Sequence, residues 1–173
     1  LVSGLLNRLW EQLEGQRGSG SLCVALAGAG RQNEQAAICA ALSHLPGGPS
    51  VSVVSDARAA LEGAHGGQAG IIVIAGTGSM VLGKAESGQE SRAGGLGPLL
   101  GDEGSGYRLV LEGLRAVMRA RDGAGPDTEL TGALAEFFGL TDWNQVIGRV
   151  YGGDLTRERL AAAAPHLFAA VRG

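Results

Sequence analysis

The chain has 173 residues, 45% of them hydrophobic and 18% charged, with a formal net charge of −3, a globular composition with enough chain for one sizeable core or two small ones. The absence of any Lys/Arg run argues against a nucleic-acid or anionic-membrane partner. No apolar run approaches the ~20 residues of a membrane span or forms a signal sequence, so a cytoplasmic protein is expected.

LLNRLWEQLE at residues 5–14 places Leu5, Leu6, Leu9 and Leu13 at helical spacing. Because the chain begins at Leu1, already inside this pattern, it reads as a piece of a longer protein. SLCVALAG (21–28) is a small-residue, β-branched apolar run that predicts a buried strand. Asn33 is the expected cap of a helix running through Leu42. VSVV (51–54) is a second strand, and Asp56 directly after it opens the short helix ARAALEGA. Strand, helix, strand, helix predicts a parallel α/β sheet.

The glycine-rich HGGQAG (65–70) is the only candidate lobe boundary, dividing residues 1–68 from residues 69–173. GIIVIAG (70–76) is the strongest strand signal, and MVLG after the Gly-Thr-Gly-Ser turn is its expected hairpin partner. KAESGQE (84–90) is polar and reads as a second turn. From Tyr107 the pattern is helical: Leu111, Leu114 and Met118 share a face. Asp127 or Thr128 opens ELTGALAEFF, Thr141 opens DWNQVIGRVY, and Thr156 starts the last helix. Cys23 and Cys39 are expected to be buried free thiols. His44, His65 and His166 share no ligand spacing with them or with each other, so no metal site is predicted.

Glycine accounts for 31 of the 173 residues, against ~7% in average proteins, and its densest cluster is GGLGPLLGDEGSG at 94–106. This stretch sets Asp102 and Glu103 among six glycines. Glycine permits positive φ and close approach to the main chain, so the stretch reads either as a ligand-facing segment or as a series of tight turns. Asp56 stands just outside the carboxyl end of a predicted strand, where open α/β sheets place ligands. GTGS (76–79) follows a strand and offers N–H groups and hydroxyls suited to phosphate oxygens. Glu103 is expected to cap or charge the first turn of the Tyr107 helix.

VSDARAALEGA (54–64), GIIVIAGTGSMVLG (70–83) and RAGGLGPLLGDEGSGY (92–107) together resemble the N-acetylglucosamine kinase and glucosamine kinase branch of the BadF/BadG/BcrA/BcrD ATPase family. The resemblance runs from about residue 22 to the end. It implies a partial ribonuclease-H-like, actin-type ATPase fold of the actin and hexokinase superfamily: the end of a first lobe, then the helix-rich start of a second. It implies an ATP-dependent sugar kinase acting on N-acetylglucosamine or glucosamine, with Mg²⁺ accompanying ATP, small-molecule partners, and a homodimer left open. Asp56 matches the family's general base, and Gly76, Thr77 and Gly78 match its second phosphate-binding loop. Ser79, Gly95, Leu96, Gly97 and Asp102 match its sugar-binding residues.

Leu96 stands where many relatives carry Trp, and Ser55 where the animal enzymes carry Asn. The family's N-terminal Asp-Gly-Gly-Gly-Thr loop and C-terminal adenosine-binding segment are not found in these residues. An activator-type ATPase or a non-catalytic amino-sugar-binding module is the alternative reading.

Overall fold

The computed structural model describes residues 21–43 and 50–172, together with positions 4, 8, 11 and 12. Leu5, Leu6, Leu9 and Leu13 of the predicted first helix, and His44, lie outside the described residues. The chain divides into two compact units: residues 1–70 with Lys84–Gly88, and residues Ile71–Gly83 with Gln89–Gly173.

In the first unit, β1 (Ser21–Leu26) and β2 (Ser50–Ser55) pair in parallel, in register from Ser21 opposite Ser50 to Leu26 opposite Ser55. Parallel neighbours need a crossover, and α1 (Gln32–Leu42) lies within that connection. The α1 cap is Arg31, three residues before Glu34, and not Asn33: the Glu34 carboxylate accepts the Arg31 N–H at 3.1 Å, the reciprocal half of a capping box. α2 (Asp56–His65) starts directly at the end of β2 and packs on both strands, burying Ala57 and Leu61.

The two cysteines are free, as predicted, but not buried: Cys23 is exposed and Cys39 half-buried. For Cys23 the cause is strand alternation. Ser21, Cys23 and Ala25 share the open side of β1, while Leu22, Val24 and Leu26 share the half-buried one. The SLCVAL run is therefore covered on one side rather than buried on both.

β3 (Gly70–Ala75), β4 (Ser79–Lys84) and β5 (Glu90–Gly94) form a sheet in the order β3-β4-β5, which belongs to the second unit except for Gly70 and Lys84. The three-residue link 76–78 leaves room only for a hairpin, and β5 is a strand that the polar, glycine-containing pattern does not announce. Ile71 and Val73, on one side of β3, are 68% and 72% exposed, so this apolar run too alternates.

Five helices follow: α3 (Gly106–Arg121), α4 (Leu130–Phe138), α5 (Gln145–Tyr151), α6 (Arg157–Ala161) and α7 (Ala164–Arg172). Val110, Gly113, Leu114 and Val117 of α3 recur at i, i+3, i+4 and i+7 and form the buried stripe of an amphipathic helix. They pack with Leu134, Phe138, Trp143, Val146, Leu160 and Leu167 into one core. Gly113 admits the close pass of α7, since a β-carbon there would lie 3.2 Å from Leu167 Cδ2.

Thr156 caps α6 as predicted, accepting the Arg159 N–H at 3.2 Å. The expected single last helix is broken into α6 and α7, with Pro165 in the first turn of the second piece, where its missing N–H costs nothing. α5 begins at Gln145 and not near Thr141, because the Asp142 carboxylate folds onto the Asn144 N–H at 3.0 Å and holds a turn there. Among the described residues no helix is long and apolar enough to cross a membrane.

Candidate functional site

The turn at Gly76, Thr77 and Gly78 is closed by a 2.9 Å hydrogen bond from the Gly76 N–H to the Gly78 carbonyl. It is held from the side by the 94–106 segment. The Gly76 carbonyl accepts the Gly106 N–H at 2.8 Å, and the Ser79 carbonyl accepts the Gly95 N–H at 2.9 Å. Ser79 donates its own N–H to Asp102 Oδ1 (3.1 Å) and its hydroxyl to the Glu103 carbonyl (2.7 Å). Two glycine-rich stretches separated by residues 80–93 thus form one structure within the second unit.

The glycines of the segment answer to geometry. Gly94 and Gly95 have φ of +74° and +68°, and β-carbons on them would lie 3.3 Å from the Ser79 carbonyl oxygen and from Met80 Cβ. Bare backbone here lets the chain pass against β4. Gly97 also has positive φ, but a β-carbon there would meet nothing within 4 Å, so its glycine meets a conformational demand with open space beside it. Leu96 is exposed next to that space.

Asp102 is the only non-glycine residue with positive φ among the described residues (+65°), a conformation Asp tolerates better than most. It is 3% exposed. Besides Ser79, its carboxylate meets Arg157, whose Nη2 donates to Oδ2 at 2.8 Å. Arg157 is the first residue of α6, and its guanidinium lies 5.3 Å from the centre of the Tyr107 ring. No local signal marks Arg157, which stands 55 positions from its partner.

The cap of α3 is Ser105, not Glu103: the buried Ser105 hydroxyl accepts the Arg108 N–H at 3.1 Å. Serine directly before a helical pattern is an ordinary cap signal, and it was legible. Glu103 contributes its backbone carbonyl to Ser79 instead.

A cavity of about 510 Å³ opens beside the turn, lined by Gly76, Thr77, Gly104, Gly106, Glu158 and Phe168 among others. Its walls approach closely, since a β-carbon on Gly106 would sit 3.0 Å from the Ala161 carbonyl oxygen. The Glu158 carboxyl is held below the usual carboxylate range, first by its own backbone N–H and then by the Thr156 hydroxyl. Phosphate or sugar oxygens of a ligand could accept hydrogen bonds from N–H groups of the turn and from the Thr77 hydroxyl on this side.

Asp56 belongs to the first unit. Ser55 is the α2 cap, accepting the Arg58 N–H at 3.1 Å, and Asp56 follows as the first helical residue. It is exposed, with Oδ1 accepting the Ala57 N–H at 2.8 Å. The carboxylate therefore stands at the carboxyl end of a parallel strand, open to a ligand.

The profile of the BadF/BadG/BcrA/BcrD ATPase family matches residues 1–171. The chain belongs to this family. It is 33% identical over 162 residues to the N-acetylmuramic acid/N-acetylglucosamine kinase of Clostridium acetobutylicum, covering 94% of this chain and 52% of that protein. It is 38% identical over 134 residues to the N-acetyl-D-glucosamine kinase of Dictyostelium discoideum, covering 76% and 42% respectively. The solved structure of a candidate N-acetylglucosamine kinase from Chromobacterium violaceum superposes with a TM-score of 0.71 at 35% identity, over 87% of this chain and 51% of that one. This BadF/BadG/BcrA/BcrD ATPase chain therefore has part of the actin-like ATPase fold, and it spans about half the length of the curated relatives it matches.

Proposed function

We propose that the protein, in its full reading frame, is an ATP-dependent kinase that phosphorylates a hydroxyl of an amino sugar, N-acetylglucosamine or glucosamine. The observation that carries the reading is the buried Asp102 carboxylate bonded to the GTGS turn, which joins the two glycine-rich loops into one structure. The kinase names of the relatives support it. We assign the first unit to the end of the first ribonuclease-H-like lobe and the second unit to the start of the second lobe.

In the proposed reaction, Asp56 takes the proton of the sugar hydroxyl as that oxygen attacks the γ-phosphorus. The bond from γ-phosphorus to the bridging oxygen breaks, and ADP leaves with the electron pair. Phosphoryl transfer is mostly positioning and charge stabilisation, which fits N–H donors at Thr77 and Gly78 facing phosphate oxygens, with Gly76 shaping the turn through its own N–H bond to the Gly78 carbonyl. Ser79, Gly95, Leu96 and Gly97 would border the sugar. A carboxylate offers about four acceptor sites, so Asp102 can hold Ser79 and Arg157 and still accept sugar hydroxyls. Magnesium would arrive with ATP, held mainly by triphosphate oxygens and water, as Mg²⁺ commonly is. The described residues gather no cluster of three or more potential ligands, and no residue of this chain is assigned to it.

The test is a coupled ADP assay of the full-length protein on N-acetylglucosamine, glucosamine and glucose. Turnover on an amino sugar is expected, with Asp56→Asn lowering kcat by on the order of 10²–10⁴, the usual range for a lost general base. No turnover on any hexose would refute the reading; sugar binding without ADP release would mark a binding module. An unchanged rate in the Asn variant would leave Asp56 as the first residue of a helix and nothing more.

A further inference from the structure

We propose that Arg157 is a positioning residue for both candidate binding loops, acting through the Asp102 carboxylate. The inference deepens the kinase reading and rests on it for its kinetic arm. Asp102 is a junction of three pieces of chain: its own loop, the 76–79 turn through the Ser79 N–H, and α6 through Arg157. The Asp102 backbone carbonyl also accepts the Ser105 N–H at 3.0 Å, tying the junction to the cap of α3.

An Asp held at a φ of +65° and almost wholly buried persists only where its surroundings over-determine it. Of its two carboxylate partners, Ser79 supplies a neutral N–H and Arg157 the compensating charge. A buried carboxylate is costly without such a partner.

The guanidinium is itself held in place. Its side chain is 41% exposed, yet Nε is buried with no hydrogen-bond partner, and the group lies over the Tyr107 ring, an attractive arrangement for a cation. A freely solvated arginine would not leave Nε unpaired. The position is therefore set by Asp102 and Tyr107 rather than by solvent. α6 also carries Glu158 and Ala161 into the wall of the cavity that Gly76 and Thr77 line. A single ion pair thus connects the proposed sugar segment, the proposed phosphate turn and the cavity wall, all inside one unit. Removing Arg157 touches no proposed ligand contact directly, but frees the group that places them.

The experiment compares Arg157→Ala and Arg157→Lys in the full-length protein, measuring kcat, the KM for N-acetylglucosamine and for ATP, and backbone hydrogen exchange. For the Ala variant, kcat/KM for the sugar is expected to fall on the order of 10- to 100-fold, the scale of an approximately 1 Å misplacement. Exchange should quicken in segments 76–79 and 101–106, but not in the core stretches 110–117 and 134–138. Lys, which restores the charge and one donor without the planar fork, should recover at least about threefold of the loss without reaching wild type. Should the Ala variant fail to fold, Arg157→Gln takes its place with the same pattern expected.

Kinetics within twofold of wild type together with unchanged exchange would overturn the proposal. So would exchange that quickens evenly across the unit with Lys as impaired as Ala, which would make Arg157 a packing residue. If the unaltered protein phosphorylates no hexose, the kinase reading falls, and the exchange contrast alone decides the positioning role.

Discussion

A β-carbon on Gly78 would sit 2.9 Å from Asp102 Oδ1, closer than real side chains approach, and the carboxylate has no easy escape because both oxygens are bonded and the residue is buried. Gly78→Ala is expected to destabilise the protein by about 1–3 kcal/mol, the usual cost of overpacking. Gly63 is the contrast: it lies inside α2, where an added β-carbon would meet nothing within 4 Å, so Gly63→Ala should stabilise by about 0.4–1 kcal/mol. Denaturant titrations of the two variants check the difference in sign, and a neutral Gly78→Ala would show that Asp102 moves freely. Asp102 could be singled out from sequence because an acid among six glycines is conspicuous. Arg157 could not, since at the head of a short helix beside Arg159 it has the same local pattern as a solvated arginine, and its meaning comes from a partner 55 positions away.

At the scale of elements, Lys84, which belongs to the first unit, fastens the end of α2. Its ammonium donates to both Glu62 carboxylate oxygens, at 2.7 and 2.8 Å, and to the Gly67 carbonyl at 2.8 Å, using all three of its donors. The Lys84 hydrogen bond, opposed by partial burial and helped by the Lys84 and Arg58 charges, holds the Glu62 carboxyl below its ordinary 4.5. A carboxyl depressed in the folded state adds stability above its unfolded value and loses it as pH falls through the folded one. Glu62→Gln should therefore melt lower than wild type at pH 7, with the gap closing below about pH 4, near the unfolded carboxyl value. A gap that stays constant down to pH 3 would assign the whole effect to uncharged contacts. The strands β1 to β4 were legible as apolar runs, but the one-sided burial of β1 and β3 was not, because such a run looks the same whether one or both faces are covered. Helix ends were misplaced where a local side chain outcompeted the expected cap, as Asp142 does before α5.

At the scale of the whole molecule, the order of three short stretches within residues 54–107 was enough to reach the family and its α/β fold, because those stretches carry backbone demands that few other sequences meet. The helical core around Val110, Leu134 and Leu167 was legible only as separate amphipathic patterns; which helices touch depends on long-range packing that periodicity does not encode. Proteins are marginally stable, so a ligand that binds only the native state stabilises by RT ln(1 + [L]/Kd), about 2.7 kcal/mol at a hundred times Kd. If the sugar lies against Gly95, Gly97 and Asp102, the full-length protein should melt several degrees higher with saturating N-acetylglucosamine or glucosamine, at roughly 2–4 °C per kcal/mol for a protein of 150–250 residues and less for a longer one. Glucose should give a smaller shift, since it lacks the amino substituent, and Asp102→Ala should abolish the shift for every sugar. The comparison of the two amino sugars reports on the acyl group directly: a larger shift with N-acetylglucosamine means that the exposed Leu96 side of the segment contacts the acetyl methyl, and equal shifts mean that recognition does not extend to the acyl group. A sugar-induced shift that survives in Asp102→Ala would move the sugar away from residues 94–106 altogether.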